Sequence, residues 1–293
     1  MTKFRLCDLR RIMAPSILIT STLHVEVQLA GSTNIDAETL TNTREAVSAW
    51  IQSNYATLEI GKVNHNNDND LSDQVVSVVL ADFTGPHEPT GFYPVEETAL
   101  DIQLYSLHPE DDAGGCRSIN HEADDKSTQV RMLALPNITL DEEWDSLVFD
   151  DGLPSRLLRY LVRMVGMMGK TGLNAAIFNW NKICLLHGPP GSGKSTLCRA
   201  LAQKLSIRLS NVFPKATLVE VSANAMLSKY FGESGKIIES TFEKVQQIAK
   251  VRSKLVVVVI DEVETIAASR QRASNSNECS DGIRVSGGSD DQN

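Results

Sequence analysis

The sequence contains no long hydrophobic run and no paired cysteine motif. None of its apolar stretches approaches the roughly 18 residues that a transmembrane helix needs, so we expect no membrane partner. Its five cysteines are odd in number, lie far apart and form no CxxC pair. This pattern argues against a disulfide framework and favours reduced thiols in the cytosol or the nucleus.

Basic residues are scarce in the first half of the chain. Residues 1–150 carry 9 Lys and Arg against 25 Asp and Glu, a net charge of −16, whereas residues 151–293 have a net charge of +7. An acidic surface repels the phosphate backbone, so the first half is not expected to bind nucleic acid directly. The same charge argues against a nucleic-acid helicase.

The strongest motif is a glycine-rich phosphate loop. Gly188, followed by four residues and then Gly193-Lys194-Ser195, has the spacing of the P-loop. Glycines let successive N–H groups form an anion-binding nest, and the next helix adds its partial positive N-terminus. Lys194 can reach the β- and γ-phosphates of ATP, and the Ser195 hydroxyl can ligate Mg²⁺. The predicted nucleotide-binding residues are Gly188, Pro189, Pro190, Gly191, Ser192, Gly193, Lys194, Ser195 and Thr196.

The segments that flank this loop support the assignment. The apolar run Ile183–Leu186 predicts a strand before the loop, and leucines at helical spacing in Leu197–Leu205 predict a helix after it. A P-loop requires this order of strand, turn and helix. The chain is therefore predicted to bind a nucleoside triphosphate.

Two adjacent carboxylates follow a second apolar run. The β-branched stretch Leu255–Ile260 predicts a central parallel strand buried on both faces. Ligands of open α/β sheets bind at the carboxyl ends of the strands, where Asp261 can hold Mg²⁺ and Glu262 can polarise the attacking water. A hydrolase needs a group that activates water, so this pair favours ATP hydrolysis over phosphoryl transfer to a metabolite.

The chain is predicted to have four segments. Strand patterns, including Val130–Leu135, and one helical pattern predict a compact α/β recognition domain over residues 1–135. Residues 136–179 are predicted to be a linker and the first helices, residues 180–273 part of the ATPase core, and residues 274–293 a disordered tail. In the linker, Trp144 and Leu147 fit either the core or an apolar slot for the adenine base, and the residues alone do not decide between them.

Taken together, these segments resemble an AAA+ ATPase and, more narrowly, the pachytene checkpoint protein family. The resemblance is close from Leu135 to about Val285 and looser over the first domain. It implies an α/β fold in which a smaller recognition domain precedes a P-loop NTPase sheet. The segments that carry it are Glu142–Asp150, Trp180–Ser210, Leu227–Lys236 and Val256–Arg270.

The resemblance also implies a function and a set of partners. Members of the family are ring hexamers that use ATP and Mg²⁺ to remodel HORMA-domain proteins of the meiotic chromosome axis and the spindle checkpoint. The N-terminal domain would dock the substrate and an adaptor, and the chain would act in the nucleus, with the cytoplasm as a second location. Tyr230, Phe231 and Gly232 match the pore loop that grips the substrate, and Trp144 and Leu147 match the adenine side.

The sequence departs from the family pattern after Glu262. The remaining 31 residues, 263–293, are too few for the other strands, the polar sensor, the arginine finger and the lid, so the sheet is expected to be incomplete at its C-terminal side. Because an arginine finger contributes about 10³–10⁵ in rate, we expect very slow turnover from this chain alone. The alternative hypothesis is a non-catalytic decoy isoform that binds ATP and the adaptor.

Overall fold

The computed structural model describes residues 21–31, 36–63, 71, 74–85, 91–109, 130–149, 152–169, 182–222, 242–243, 245–250 and 253–264. They divide into two units, Met1–Tyr105 and Ser106–Asn293. None of the helices in these ranges has the length and apolarity that a membrane crossing requires. The elements are β1 (Thr22–Leu29), α1 (Ala37–Asn54), β2 (Thr57–Glu59), β3 (Gly61–Val63), β4 (Val75–Thr84), β5 (Phe92–Pro94), β6 (Ala99–Tyr105), β7 (Val130–Leu135), a 3₁₀ helix (Ile138–Leu140), α2 (Leu153–Gly169), α3 (Lys194–Arg208), β8 (Lys215–Ser222) and β9 (Lys254–Asp261).

The first unit packs one helix against a four-stranded sheet. Its strand order is β3-β4-β1-β6, with β1 antiparallel to β4 and parallel to β6. Side chains alternate between the two faces of a strand, so the buried Leu23, Val25 and Val27 share one face of β1. That face belongs to one apolar core with Val47 and Ile51 of α1. The predicted α/β character of this region is confirmed.

The second unit contains a three-stranded sheet in the order β7-β8-β9. Strands β8 and β9 are parallel, as the β-branched run of β9 predicts, whereas β7 is antiparallel to β8. Leu133 and Leu218 lie on the side of the sheet that packs against Ala202 of α3, and we call this side the α3 face. Val219 and Val258 lie on the opposite face, in a separate apolar cluster with Val245.

The prediction that Val130–Leu135 completes the first domain is wrong. This segment is β7, and it pairs with β8 along its whole length. The register places Leu133 opposite Leu218 and Leu135 opposite Ala216, so the leucines are buried in the core that includes Ala202 of α3. The first unit ends at Tyr105, and the domain boundary therefore precedes β7 instead of following residue 135.

The strand predicted before the phosphate loop is also not found. Residues 182–189 form no strand ladder with any described residue, and the side chains of Ile183 and Leu185 are exposed. Leu186 alone of this run packs against the apolar cluster of α2 and α3. The prediction that β9 is buried on both faces is also wrong, since residues 254–260 are only half-buried. Among the described strands β9 pairs with β8 alone, so its other edge has no neighbouring strand there.

Candidate functional site

Two glycines shape the phosphate loop. Gly191 and Gly193 have φ angles of 74° and 78°, in the left-handed region that residues with a Cβ atom rarely adopt. Gly193 is the N-cap of α3, and the first hydrogen bond of the helix runs from the Leu197 N–H to the Gly193 carbonyl, at 2.8 Å. The N–H groups of Lys194, Ser195 and Thr196 come before that bond, at the positive end of the helix dipole, where an anion binds best.

The amino group of Lys194 is held against the loop. Its Nζ atom donates hydrogen bonds to the carbonyl oxygens of Gly188, at 3.0 Å, and Pro189, at 2.7 Å. It also lies 3.4 Å from the Ser192 hydroxyl. The positive charge is therefore placed beside the backbone that the P-loop spacing assigns to phosphate binding.

The end of β9 meets the start of α3. The Ser195 hydroxyl donates a hydrogen bond of 2.7 Å to Oδ2 of Asp261. The other carboxylate oxygen of Asp261 accepts the backbone N–H of Glu262 at 3.0 Å, and Glu262 has a left-handed φ of 56°. Such a conformation costs about 1–3 kcal/mol in a residue other than glycine. A hydroxyl and a carboxylate at this distance form an all-oxygen pair, which fits the ligand preference of Mg²⁺.

A cavity of about 320 Å³ lies at this edge of the sheet. The α3 face is apolar at Leu133, Leu218 and Val257 and becomes polar further along the strands. Because the side-chain period is two, Glu220 follows Leu218 on the same face of β8. The cavity is lined by Arg131, Ser195, Arg199, Glu220, Val221, Ser222, Val259, Asp261 and Glu262.

A network of charges in this region was missed by the sequence reasoning. Arg199 Nε lies 3.3 Å from Oε1 of Glu143, and Arg199 NH1 lies 3.8 Å from Oε1 of Glu220. Arg131 NH1 is 3.7 Å from the second oxygen of Glu220. Burial raises the pKa of the Glu143 carboxyl above its ordinary value, and the charge of Arg199 opposes this effect. The only signal in the sequence was helical spacing, which places Arg199 one turn after Ser195.

Trp144 and Leu147 are partly buried at the edge of an apolar cluster. Both pack, with Phe149, against a cluster that includes Leu197 and Leu201 of α3. Lys204 Nζ lies 5.9 Å from the centre of the Trp144 ring, a distance typical of a cation–π contact. Neither residue lines the cavity that contains Ser195 and Asp261. Their predicted role on the adenine side stays a prediction.

Some of the residues with a predicted function lie among the described residues and others do not. Lys194, Ser195, Asp261 and Glu262 are brought together, although their chemical roles stay predictions. Tyr230, Phe231 and Gly232, the predicted pore loop, lie outside the described residues, as does the predicted tail, residues 274–293.

The fold and the site define an AAA-type ATPase domain preceded by a smaller α/β domain. Residues 184–284 match the ATPase family associated with various cellular activities (AAA). Residues 19–110 match the TRIP13 N-terminal domain. The two matches follow each other along the chain in the order of the two observed units.

Several whole proteins similar to the chain belong to one family within the AAA ATPases. Over 281 residues the chain is 32% identical to the human pachytene checkpoint protein 2 homolog, covering 95% of this chain and 62% of that protein. Its identity to the rice homolog is 40% over 204 residues, covering 70% of this chain and 41% of that protein. The solved structure of C. elegans PCH-2 has a TM-score of 0.62 at 24% identity, covering 85% of this chain and 61% of that one.

The chain belongs to the pachytene checkpoint protein family. It spans only part of the length of these relatives, 35% of the Arabidopsis homolog and 62% of the human one. The resemblance found in the sequence is thereby confirmed, and so is the α/β class with an AAA domain.

Two cysteines, Cys184 and Cys198, flank the phosphate loop in the sequence and differ in burial. Burial raises the pKa of the Cys198 thiol on α3, with smaller contributions from Cys184 and Asp261, whereas Cys184 is exposed. Because the thiolate is the reactive form, iodoacetamide at pH 7.5 should modify Cys184 several times faster than Cys198. Peptide mass spectrometry over a time course measures both rates, and Cys184→Ser is the control for their assignment. Equal rates, or faster modification of Cys198, would contradict this placement of α3.

Proposed function

We propose that the second unit binds ATP together with Mg²⁺ and hydrolyses the terminal phosphate. The 2.7 Å hydrogen bond between Ser195 and Asp261 carries this proposal, because it joins two segments that the sequence separates by 66 residues. P-loop ATPases hold Mg²⁺ with these two residue types. The bound metal ion would neutralise charge on the phosphate oxygens.

Each residue has a distinct part in the proposed reaction. Lys194 neutralises the β- and γ-phosphates, and the amides at the start of α3 bind their oxygens. Glu262 accepts a proton from a water molecule while the water oxygen forms a bond to the γ-phosphorus. The bond from that phosphorus to the β–γ bridging oxygen breaks, which releases ADP and phosphate.

We further propose that the protein remodels HORMA-domain proteins. Membership of the pachytene checkpoint family supports this, as does the match of residues 19–110 to the TRIP13 N-terminal domain. In this proposal the first unit docks the substrate and an adaptor, six copies form the working ring, and Tyr230, Phe231 and Gly232 grip the substrate. The site of action would be the nucleus, on meiotic chromosomes, with a second pool in the cytoplasm, and neither DNA nor a membrane is bound directly.

Two substitutions test the nucleotide site. Lys194→Ala removes the positive charge that is hydrogen-bonded to the loop carbonyls of Gly188 and Pro189, so we expect no measurable ATP binding by isothermal titration calorimetry. Glu262→Gln should keep the affinity and lower phosphate release by about 10²–10⁴-fold, because general-base catalysis contributes that much.

The matched control for these variants is Lys215→Ala, which removes an exposed lysine at the start of β8. It should bind like the parent chain. Binding by Lys194→Ala at parental affinity would contradict the site. ATP binding by the parent without measurable phosphate release would instead support the non-catalytic, ATP-binding alternative.

The remodelling proposal predicts a nucleotide-dependent complex. The chain should be captured by a spindle-checkpoint HORMA-domain protein with its adaptor in the presence of ATP, and Glu262→Gln should prolong the complex because hydrolysis no longer releases it. Size-exclusion chromatography with light scattering measures the complex and its stoichiometry. Lys194→Ala is the control for the nucleotide requirement. If the parent chain and Glu262→Gln form no complex with or without ATP, the recognition role of the first unit is wrong.

A further inference from the structure

The wall of the cavity that contains Ser195 and Asp261 carries two guanidinium groups that the proposed reaction does not use. Arg199 lies one helical turn after Ser195, and Arg131 lies on β7, directly opposite Glu220 in the strand register. Both line the same cavity as Asp261. The two arginines hold opposite oxygens of the Glu220 carboxylate, at 3.8 Å and 3.7 Å.

The carboxylates and guanidinium groups that line the cavity affect how strongly it can bind the negatively charged triphosphate. Three carboxylates, those of Glu220, Asp261 and Glu262, line the cavity against the two guanidinium groups. Asp261 and Glu262 have proposed roles with the metal ion and the water molecule, and Glu220 has none. An uncompensated carboxylate would repel the terminal phosphate, and partial burial keeps solvent from screening that repulsion fully.

Arg199 is only partly satisfied by its carboxylate partners. Its Nε atom is buried and lies 3.3 Å from Glu143, yet it has no hydrogen-bond partner of acceptable geometry among the described residues. Oε2 of Glu143 is also buried and also has no hydrogen-bond partner among the described residues. The distance of 3.8 Å to Glu220 is long for a charge-assisted hydrogen bond, which normally measures 2.7–2.9 Å. Arg199 therefore acts on Glu220 through its charge and not through a short hydrogen bond.

We propose that Arg199 is a specificity-determining residue that makes the cavity prefer a nucleoside triphosphate over a diphosphate. The inference rests on the proposed nucleotide site. By compensating the negative charge of Glu220, Arg199 favours the terminal phosphate at the end of the cavity that contains Ser195 and Asp261. A nucleoside diphosphate has no phosphate group at this position. Arg199 therefore raises its binding affinity less than that of a triphosphate.

The test compares ATP and ADP affinities in the presence of Mg²⁺ by isothermal titration calorimetry. Arg199→Met keeps the aliphatic stem and removes the charge, and it should weaken ATP binding about tenfold and ADP binding less than about twofold. Glu220→Gln removes the repelling carboxylate and should strengthen ATP binding relative to ADP. The double variant should recover most of the ATP affinity, because the charge that Arg199 compensates is then absent.

Two further variants separate specificity from simple packing. Glu143→Gln removes the other partner of Arg199 without changing the cavity wall, so the ratio of the two affinities should stay that of the parent. Arg199→Lys keeps the charge and should retain the preference for ATP. Circular dichroism establishes that each variant is folded, and Glu220→Gln tests the inference even if Arg199→Met does not fold.

The outcomes distinguish the inference from the proposed function. Equal losses for ATP and ADP in Arg199→Met, an unchanged affinity ratio in Glu220→Gln, or no recovery in the double variant would overturn the specificity role while leaving the nucleotide site intact. If the parent chain binds no ATP, the proposed function fails, and the inference fails with it.

Discussion

The hydrogen bond between the Ser195 hydroxyl and the Asp261 carboxylate is the interaction on which the rest of the site depends. It connects the first turn of α3 to the end of β9, so the phosphate loop and the paired carboxylates lie at one edge of the sheet. The second oxygen of Asp261 holds the backbone of Glu262. A single carboxylate thus fixes both the hydroxyl proposed for the metal ion and the residue proposed for the water molecule.

The same strand periodicity that builds the core also builds the cavity. On the α3 face of β8, Leu218 is buried under α3, and Glu220, two residues later, lines the cavity. On β9 the face changes in the same way from Val257 to Asp261. Side chains two residues apart in a strand lie on the same face. The packing of the apolar residues against α3 therefore also positions the polar residues that follow them in each strand. The charged side chains of Glu220 and Asp261 therefore lie at the edge of the apolar core and not inside it.

Features that short sequence spacing specifies were predictable, and features that depend on tertiary pairing were not. Gly188–Ser195 and the end of β9 were located because turn chemistry and strand polarity are local. The partner of Val130–Leu135 was missed, because an alternating strand pattern does not say which sheet it joins. The predicted strand at Ile183–Leu186 is absent from the described sheet, since a strand also needs a neighbour. The pairing of Arg199 with Glu220 joins α3 to β8, so no sequence spacing could indicate it.

The most direct measurement of the central claim is the Mg²⁺ dependence of ATP binding. Titrations with Mg²⁺ and with EDTA should show that the metal ion strengthens binding to the parent chain, because Ser195 and Asp261 lie close enough to ligate one ion. Ser195→Ala and Asp261→Asn should each lose that gain while retaining the weaker metal-free binding through the loop. If the gain persists in both variants, or is absent from the parent, the two segments do not form one metal–nucleotide site.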